Sequence, residues 1–348
     1  MKYNFTVRER GKGWQIILSY KDETGWHQKS RSGFPKKRDA LAARDEMLEE
    51  LNKDAGTDKS MASITLSEFS GIYLNTRTDL SYNTKLNYRN RIKAMGALKD
   101  MPIKKIKYID IASYFSECPY SAATKEITVS VLSVILNAAV DYNIISASPI
   151  TRKIKIMKSR KEKRLRTFTR IEIEDFLSRY KDGETAVIVC ILALTGVRVS
   201  EALGLKWSDI DFKSMTIHVG GQYGYTEKGS RGFKVVKSKN SNRTIPMPPR
   251  LTKILLYYRS HSVRYMDGRL TGIEFVWSVN RYIKRVAGSH SAHDFRHTYA
   301  TNALSSGADV MTVAALLGDT VNTVIQTYLH YTEDMRENAR ALVDRMYS

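Results

Sequence analysis

Thr195-Gly196-Val197-Arg198-Val199-Ser200-Glu201 follows an apolar run, Val187 to Leu194, that reads as a buried helix. Gly196 ends that helix, because glycine takes the left-handed turn at a helix C-terminus without steric cost. Arg198 then stands at the start of a further short helix, with Glu201 three residues on. Two readings of this arginine are open. It is an ordinary Arg–Glu helix pair, or it is a guanidinium held by its neighbour so that it grips two oxygens of one phosphate.

Three other stretches carry the same kind of choice. His293-Asp294-Phe295-Arg296-His297, read as His-x-x-x-His, resembles a zinc-binding helix. Against this, Arg296 would set a positive charge beside the metal, and the sequence offers no third ligand. Read as His-x-x-Arg, it puts an imidazole and a guanidinium on one helix face, one turn apart, which suits a phosphate. Lys237 and Lys239 sit in Val236-Lys237-Ser238-Lys239-Asn240-Ser241-Asn242-Arg243, a polar stretch that reads as a hairpin turn. They are surface lysines, or one of them reaches a leaving oxygen and protonates it. Tyr328 follows a helical run (Val310, Val313, Ala314, Leu316, Leu317) and a break at Gly318; a tyrosine here, like nearby Tyr331, is ordinarily a half-buried packing residue. Together, two arginines, a lysine, a histidine and a tyrosine suffice to cut a phosphodiester without a metal or cofactor.

The charge says which phosphate. Among 348 residues, 56 are Lys or Arg and 36 are Asp or Glu, a formal net charge of +20. A surplus of that size fits a polyanion, and nucleic acid is the commonest one. A membrane is not expected as a partner, because no apolar run reaches the ~20 residues that span a bilayer. The start, Met1-Lys2-Tyr3-Asn4-Phe5, reads as a strand rather than a signal peptide. Cys118 and Cys190 read as buried free thiols, so the expected compartment is the cytoplasm.

The chain reads as multidomain and mainly α. Residues 1–57 form a small unit of three alternating strands (Tyr3 to Arg8, Gly13 to Tyr20, Gly25 to Arg31) and a helix with Ala40, Ala43, Met47, Leu48 and Leu51 inward. Residues 63–150 read as wholly helical. Thr65-Leu66-Ser67-Glu68 is a capping box, and Ile127, Val131, Val134, Ile135, Ala138 and Ala139 form the stripe of the longest helix. Residues 151–166 are a basic linker, either solvated and extended or lying on phosphates. Residues 167–348 read as mixed α+β and mostly helical, opening on a second capping box at Thr169-Arg170-Ile171-Glu172. Strands are predicted at Met215 to Val219, Phe233 to Val236 and Arg243 to Ile245, and the stretch after Tyr328 reads as a helix with Ala339, Leu342, Val343 and Met346 on one face.

In their order and spacing these fragments resemble the tyrosine recombinases, in particular the phage and conjugative-transposon integrases. Thr195 to Glu201 resembles the family's Thr-Gly-x-Arg-x-x-Glu box. Val236 to Pro246 resembles its lysine-bearing turn, His293 to Thr298 its His-x-x-Arg box, and Leu316-Leu317-Gly318 with Tyr328-Leu329-His330 its nucleophile segment. The resemblance implies an arm-type DNA-binding domain (1–57), a helical, SAM-like core-binding domain (63–150) and a recombinase catalytic domain (167–348).

It implies a site-specific enzyme that integrates or excises a mobile element by cutting and rejoining DNA through a 3′-phosphotyrosine. Tyr328 would be the nucleophile, Arg198 and Arg296 the phosphate clamp, Lys237 the general acid (Lys239 the alternative), and His293 an aid to proton transfer or phosphate binding. Expected DNA contacts are Arg8, Arg10, Lys12, Lys29 and Arg31 in the arm domain, Arg152, Lys153, Lys158 and Arg160 in the linker, and Lys239 and Arg243. Implied partners are double-stranded DNA at core and arm sites, a homotetramer on that DNA, and host DNA-bending and directionality proteins. The pattern departs at Asp319, where the family has histidine or tryptophan. A carboxylate there accepts but does not donate, and it repels phosphate. That departure admits an integrase-like DNA-binding regulator as the alternative; a topoisomerase of type IB would use a similar site.

Overall fold

The computed structural model describes residues 2–22, 25–55, 61, 63–156, 165–227, 229–235 and 241–328. Lys158, Arg160, Lys237, Lys239, Tyr331 and the C-terminal stretch with Ala339, Leu342, Val343 and Met346 lie outside the described residues. The chain divides into two compact units, residues 1–160 and 161–348.

The first unit begins with an antiparallel sheet in the order β1 (Lys2–Arg10), β2 (Gly13–Asp22), β3 (Gly25–Phe34), followed by α1 (Lys37–Ala55). Phe5, Val7, Ile16 and Leu18 project to one face, where Ala40, Ala43, Met47 and Leu51 of α1 close a small core. The register decides which basic residues share that face. Arg31 pairs with Ile16 and Lys29 with Leu18, and paired residues project to the same side. Arg31 accordingly reaches Glu46 at 3.0 Å and Glu50 at 2.6 Å on α1. Arg8, across from Gln15, and Arg10, across from Gly13, are on the opposite, open face, with exposed Lys12 in the turn between β1 and β2. The expected group of five is therefore split: Lys29 and Arg31 belong to the helix side.

Next come α2 (Leu66–Thr76), α3 (Tyr82–Lys93), α4 (Tyr108–Glu117) and α5 (Ala122–Asp141). The capping box at Thr65 is formed, with Glu68 Oε2 accepting from the Thr65 N–H at 2.9 Å. The buried stripe of α5 is Thr128, Val131, Leu132, Ile135, Leu136, Ala138 and Ala139. Ile127 is 47% exposed and does not belong to it. At 20 residues α5 is long and apolar enough to cross a bilayer, contrary to the sequence expectation, but its stripe is built into the core with Leu66, Phe69, Leu74, Ile92 and Ile111.

The second unit contains α6 (Arg170–Ser178), α7 (Glu184–Thr195), α8 (Val199–Gly204), β4 (Ile210–Asp211), β5 (Thr216–Val219), β6 (Gly221–Tyr225), β7 (Arg231–Val235), β8 (Arg243–Pro246), α9 (Pro249–His261), α10 (Val276–Ala287), α11 (Ala292–Ser305), α12 (Val310–Leu317) and α13 (Val321–Tyr328). Helix α7 is the spine: Ala186 through Leu192 are all buried, and the core continues into Ile217, Ile245, Leu251, Val279, Ile283 and Phe295. Three strands were expected here, and five form among the described residues. Two-residue β4 is too short to show alternation, and β6 holds two glycines, which weaken a strand pattern. The sheets are β4-β5-β8 and β6-β7. Strand β7 pairs with β6 and β8 with β5; the expected turn at Val236 to Asn240 lies outside the described residues.

Candidate active site

The site is assembled where α7, α8, α11 and the α12–α13 turn converge. Gly196 ends α7 with φ 65° in the left-handed region. A Cβ at this position would stand 2.6 Å from the ring of Tyr299, so both backbone and space demand glycine. The turn delivers Arg198 to the start of α8, where its N–H donates to Glu201 Oε2 at 2.9 Å and its Nη1 pairs with Glu201 Oε1 at 3.0 Å. Glu201 thus fixes both the backbone and the side chain of this arginine.

Arg243, expected on a DNA-facing surface, lies behind that pair. Its side chain is 7% exposed; Nη2 meets Glu201 Oε2 at 3.0 Å and Nε donates to the Leu316 carbonyl at 2.7 Å. On β8, beside a buried carboxylate, it has the place of a structural brace. Burial alone would raise the Glu201 carboxyl; the ion pairs with Arg243 and Arg198 overcome that and hold it below the ordinary carboxylate value.

Arg296, on the second turn of α11, is 2% exposed. Its Nη1 donates to the Gly196 carbonyl at 3.0 Å and its Nη2 to the Leu317 carbonyl at 2.9 Å, so it ties the end of α7 to the end of α12. The same Nη2 lies 2.5 Å from Asp319 Oδ2. The other Asp319 oxygen accepts from Arg198 Nη2. One carboxylate therefore bridges both guanidinium groups. Gly318, at φ 67°, caps α12 in the left-handed region, and the Asp319 N–H returns to the Ala314 carbonyl at 3.0 Å, which aims the carboxylate inward. Burial and the positive Arg198 push Arg296 below its ordinary value, while Asp319 opposes them.

Tyr328 closes α13 and is 5% exposed, packed with Val324, Leu317 and Ala300. Its hydroxyl lies 3.1 Å from Nδ1 of His297. Burial pushes the phenol up and Arg296 pulls it down, so the tyrosine and the arginine stand within electrostatic reach. His293 is exposed one turn earlier on α11, its ring edge-on to His297 with centroids 4.5 Å apart. Desolvation and Arg296 hold His293 below the usual imidazole value. Arg198, His293, Arg296, Asp319 and Tyr328 are thus brought together. Arg152 and Lys153 are exposed in the other unit, with Arg152 lying 4.6 Å over the ring of Tyr108. His297 was singled out by the sequence only as a second zinc ligand; its place directly after Arg296 was the available signal.

Three family models match the chain: an arm DNA-binding domain over residues 6–51, the phage integrase N-terminal SAM-like domain over 65–117, and the phage integrase family over 163–335. A tyrosine recombinase XerC-like protein of Caldanaerobacter subterraneus subsp. tengcongensis is 27% identical, over 87% of this chain and 88% of that protein. Tyrosine recombinase XerC of Listeria monocytogenes is 25% identical, over 75% of this chain and 91% of its own. In fold, the chain is similar to the Tn1549 transposon integrase in complex with a circular intermediate DNA, with a TM-score of 0.64 at 20% identity, covering 82% of this chain and 100% of that one. It is similar also to a lambda integrase dimer bound to a core site, with a TM-score of 0.57 at 19% identity, covering 92% and 93%. Matched along its length by models for all three parts, the chain belongs to the phage integrase family of tyrosine recombinases.

Proposed function

We propose that this site-specific recombinase cuts and rejoins duplex DNA with Tyr328 as nucleophile and Arg198 and Arg296 as the clamp on the scissile phosphate. The phenolic oxygen attacks phosphorus, a 3′-phosphotyrosine forms, and the 5′-oxygen leaves. Charge accumulating on the non-bridging oxygens is met by two preorganised guanidinium groups, each worth roughly 10²–10³ in rate for interactions of this kind. His293, exposed beside the clamp, donates to the phosphate. Lys237 protonates the leaving oxygen. The covalent link retains the energy of the cut bond, so rejoining requires no ATP and no cofactor.

The observation that carries this reading is the Asp319 carboxylate bridging Arg198 and Arg296, which marks a seat for one anion between the two cations. The scissile phosphate takes that seat when DNA displaces the carboxylate.

Residues 1–57 serve as the arm-site reader, 63–150 as the core-site binder, 151–166 as a basic linker and 167–348 as the catalytic domain. Binding two classes of site through linked modules makes bridging of separate DNA segments depend on effective concentration as well as on contacts. The lambda integrase has been seen as a tetramer on a Holliday junction; a tetramer of this chain on its own DNA, assisted by host DNA-bending and directionality proteins in the cytoplasm, is the matching assembly. The test is incubation with a nicked suicide duplex carrying the joined ends of the DNA element that encodes this chain. Wild type is expected to form a covalent adduct, and Tyr328→Phe none; an adduct with Tyr328→Phe would remove Tyr328 from its role.

A further inference from the structure

Attack by Tyr328 requires that its phenolic proton leave, and the burial that raises the phenol makes this harder without a base at hand. His293, the histidine of the His-x-x-Arg box, has no hydrogen bond to that hydroxyl; His297 does, with Nδ1 at 3.1 Å. That is within the heavy-atom reach of a general base from the oxygen whose proton it takes. The imidazole is half-buried and its ring meets the phenol ring at 60°, with centroids 5.5 Å apart. His297 is faced by His293, Asp294 and Arg296 from α11 and by Tyr328 from α13. Burial, His293 and Arg296 lower its basicity and only Asp294 raises it, so the ring is neutral at neutral pH, and in the tautomer that carries its proton on Nε2 the Nδ1 atom accepts.

Resting on the function proposed above, we infer that His297 is a catalytic residue, the general base that takes the proton of the Tyr328 hydroxyl during strand cleavage. As the Oη–phosphorus bond forms and the bond from phosphorus to the 5′-oxygen breaks, the phenolic proton passes to Nδ1, and the leaving oxygen takes its proton from the general acid on the opposite side. In rejoining, the 5′-hydroxyl attacks phosphorus and gives its proton back to the deprotonated general acid, the Oη–phosphorus bond breaks, and the His297 imidazolium returns the proton to the departing phenolate. His293 is left to bind the phosphate.

The experiment compares single-turnover cleavage by wild type and His297→Gln on the suicide duplex, with DNA binding and thermal unfolding measured alongside. His297→Asn gives the same readout should the longer amide disturb packing. Loss of a general base lowers the rate ~10²–10⁴-fold. The wild-type rate is expected to rise with pH through a value below about 6.5 and then level off, and the variant to lose that rise. A duplex with sulfur in place of the 5′-bridging oxygen has a leaving group that needs no acid; it is expected to rescue a general-acid variant but not His297→Gln. A variant that cleaves within threefold of wild type, keeps the wild-type pH profile, or is rescued by the sulfur substrate overturns the inference while leaving the Tyr328 adduct intact. Absence of any adduct with wild type overturns the function itself.

Discussion

Asp319 Oδ2 lies 2.5 Å from the buried guanidinium of Arg296, and its second oxygen reaches Arg198. The carboxylate neutralises two cations held close together and, under the function proposed above, occupies the position a substrate phosphate would take. Stability and catalysis therefore pull on this residue in opposite directions.

Asp319→Asn separates the two effects. Removing the charge leaves Arg296 buried without its counter-charge, a change that costs about 3–5 kcal/mol in buried pairs. Calorimetry is expected to show a lowered melting temperature that recovers as inorganic phosphate or sulfate is added, because the anion takes the vacated seat. Cleavage is expected to rise, and to rise further in Asp319→His, which adds a donor toward the phosphate. Unchanged melting and unchanged cleavage in both variants would mean that the carboxylate does not guard the seat.

Gly196→Ala introduces a Cβ at a positive φ and against the Tyr299 ring. Strain of this kind costs about 1–3 kcal/mol, with overpacking of similar size on top. Because the Gly196 carbonyl holds Arg296 and the turn delivers Arg198, cleavage is expected to fall more steeply than DNA binding. Melting curves and adduct yield report the two effects; full activity would contradict the tie between this turn and the clamp.

The brace behind the clamp predicts acid sensitivity. Glu201 has a folded value depressed by Arg243 and Arg198, so its contribution is present above the unfolded value near 4.5 and is lost as pH falls through the folded value. Arg243→Ala leaves that carboxylate with Arg198 alone and is expected to cost about 3 kcal/mol at neutral pH, read by urea unfolding, while flattening the acid slope. Equal slopes in variant and wild type would assign the acid loss to other groups.

The sheet register predicts a division of labour in the first domain. Arg8→Ala and Arg10→Ala, on the open face, are expected each to reduce the salt slope of arm-site binding by about 0.9 if each contacts one phosphate. Arg31→Ala, on the helix face, is expected to leave the slope unchanged, its charge being paired with Glu46 and Glu50. A drop for Arg31→Ala equal to that for Arg8→Ala would reverse the assignment of faces.

What the sequence made legible was local. The turn at Gly196, the capping boxes at Thr65 and Thr169, and the shared face of His293 and Arg296 are set by residues a few positions apart, where propensity and helical spacing act directly. Contacts across long separations were not legible. Nothing near Arg243 in the chain announces its pairing with Glu201, and Asp319 looked merely like a departure until the fold set it between Arg198 and Arg296. The faces of Lys29 and Arg31 depended on which residues of β2 stood across from them, and alternation within one strand does not carry that information. Ile127 failed for a related reason: an apolar residue at the edge of a helical stripe remains exposed when no partner element covers it.

The central claim is that the Tyr328 phenol becomes covalently joined to DNA between two guanidinium groups. The most direct measurement is protease digestion of the trapped adduct followed by mass spectrometry of the nucleotide-bearing peptide. The account predicts a nucleotide attached through its 3′-phosphate to Tyr328, and to no other residue. A 3′-phosphate on Tyr331, or a linkage through a 5′-phosphate, would contradict it.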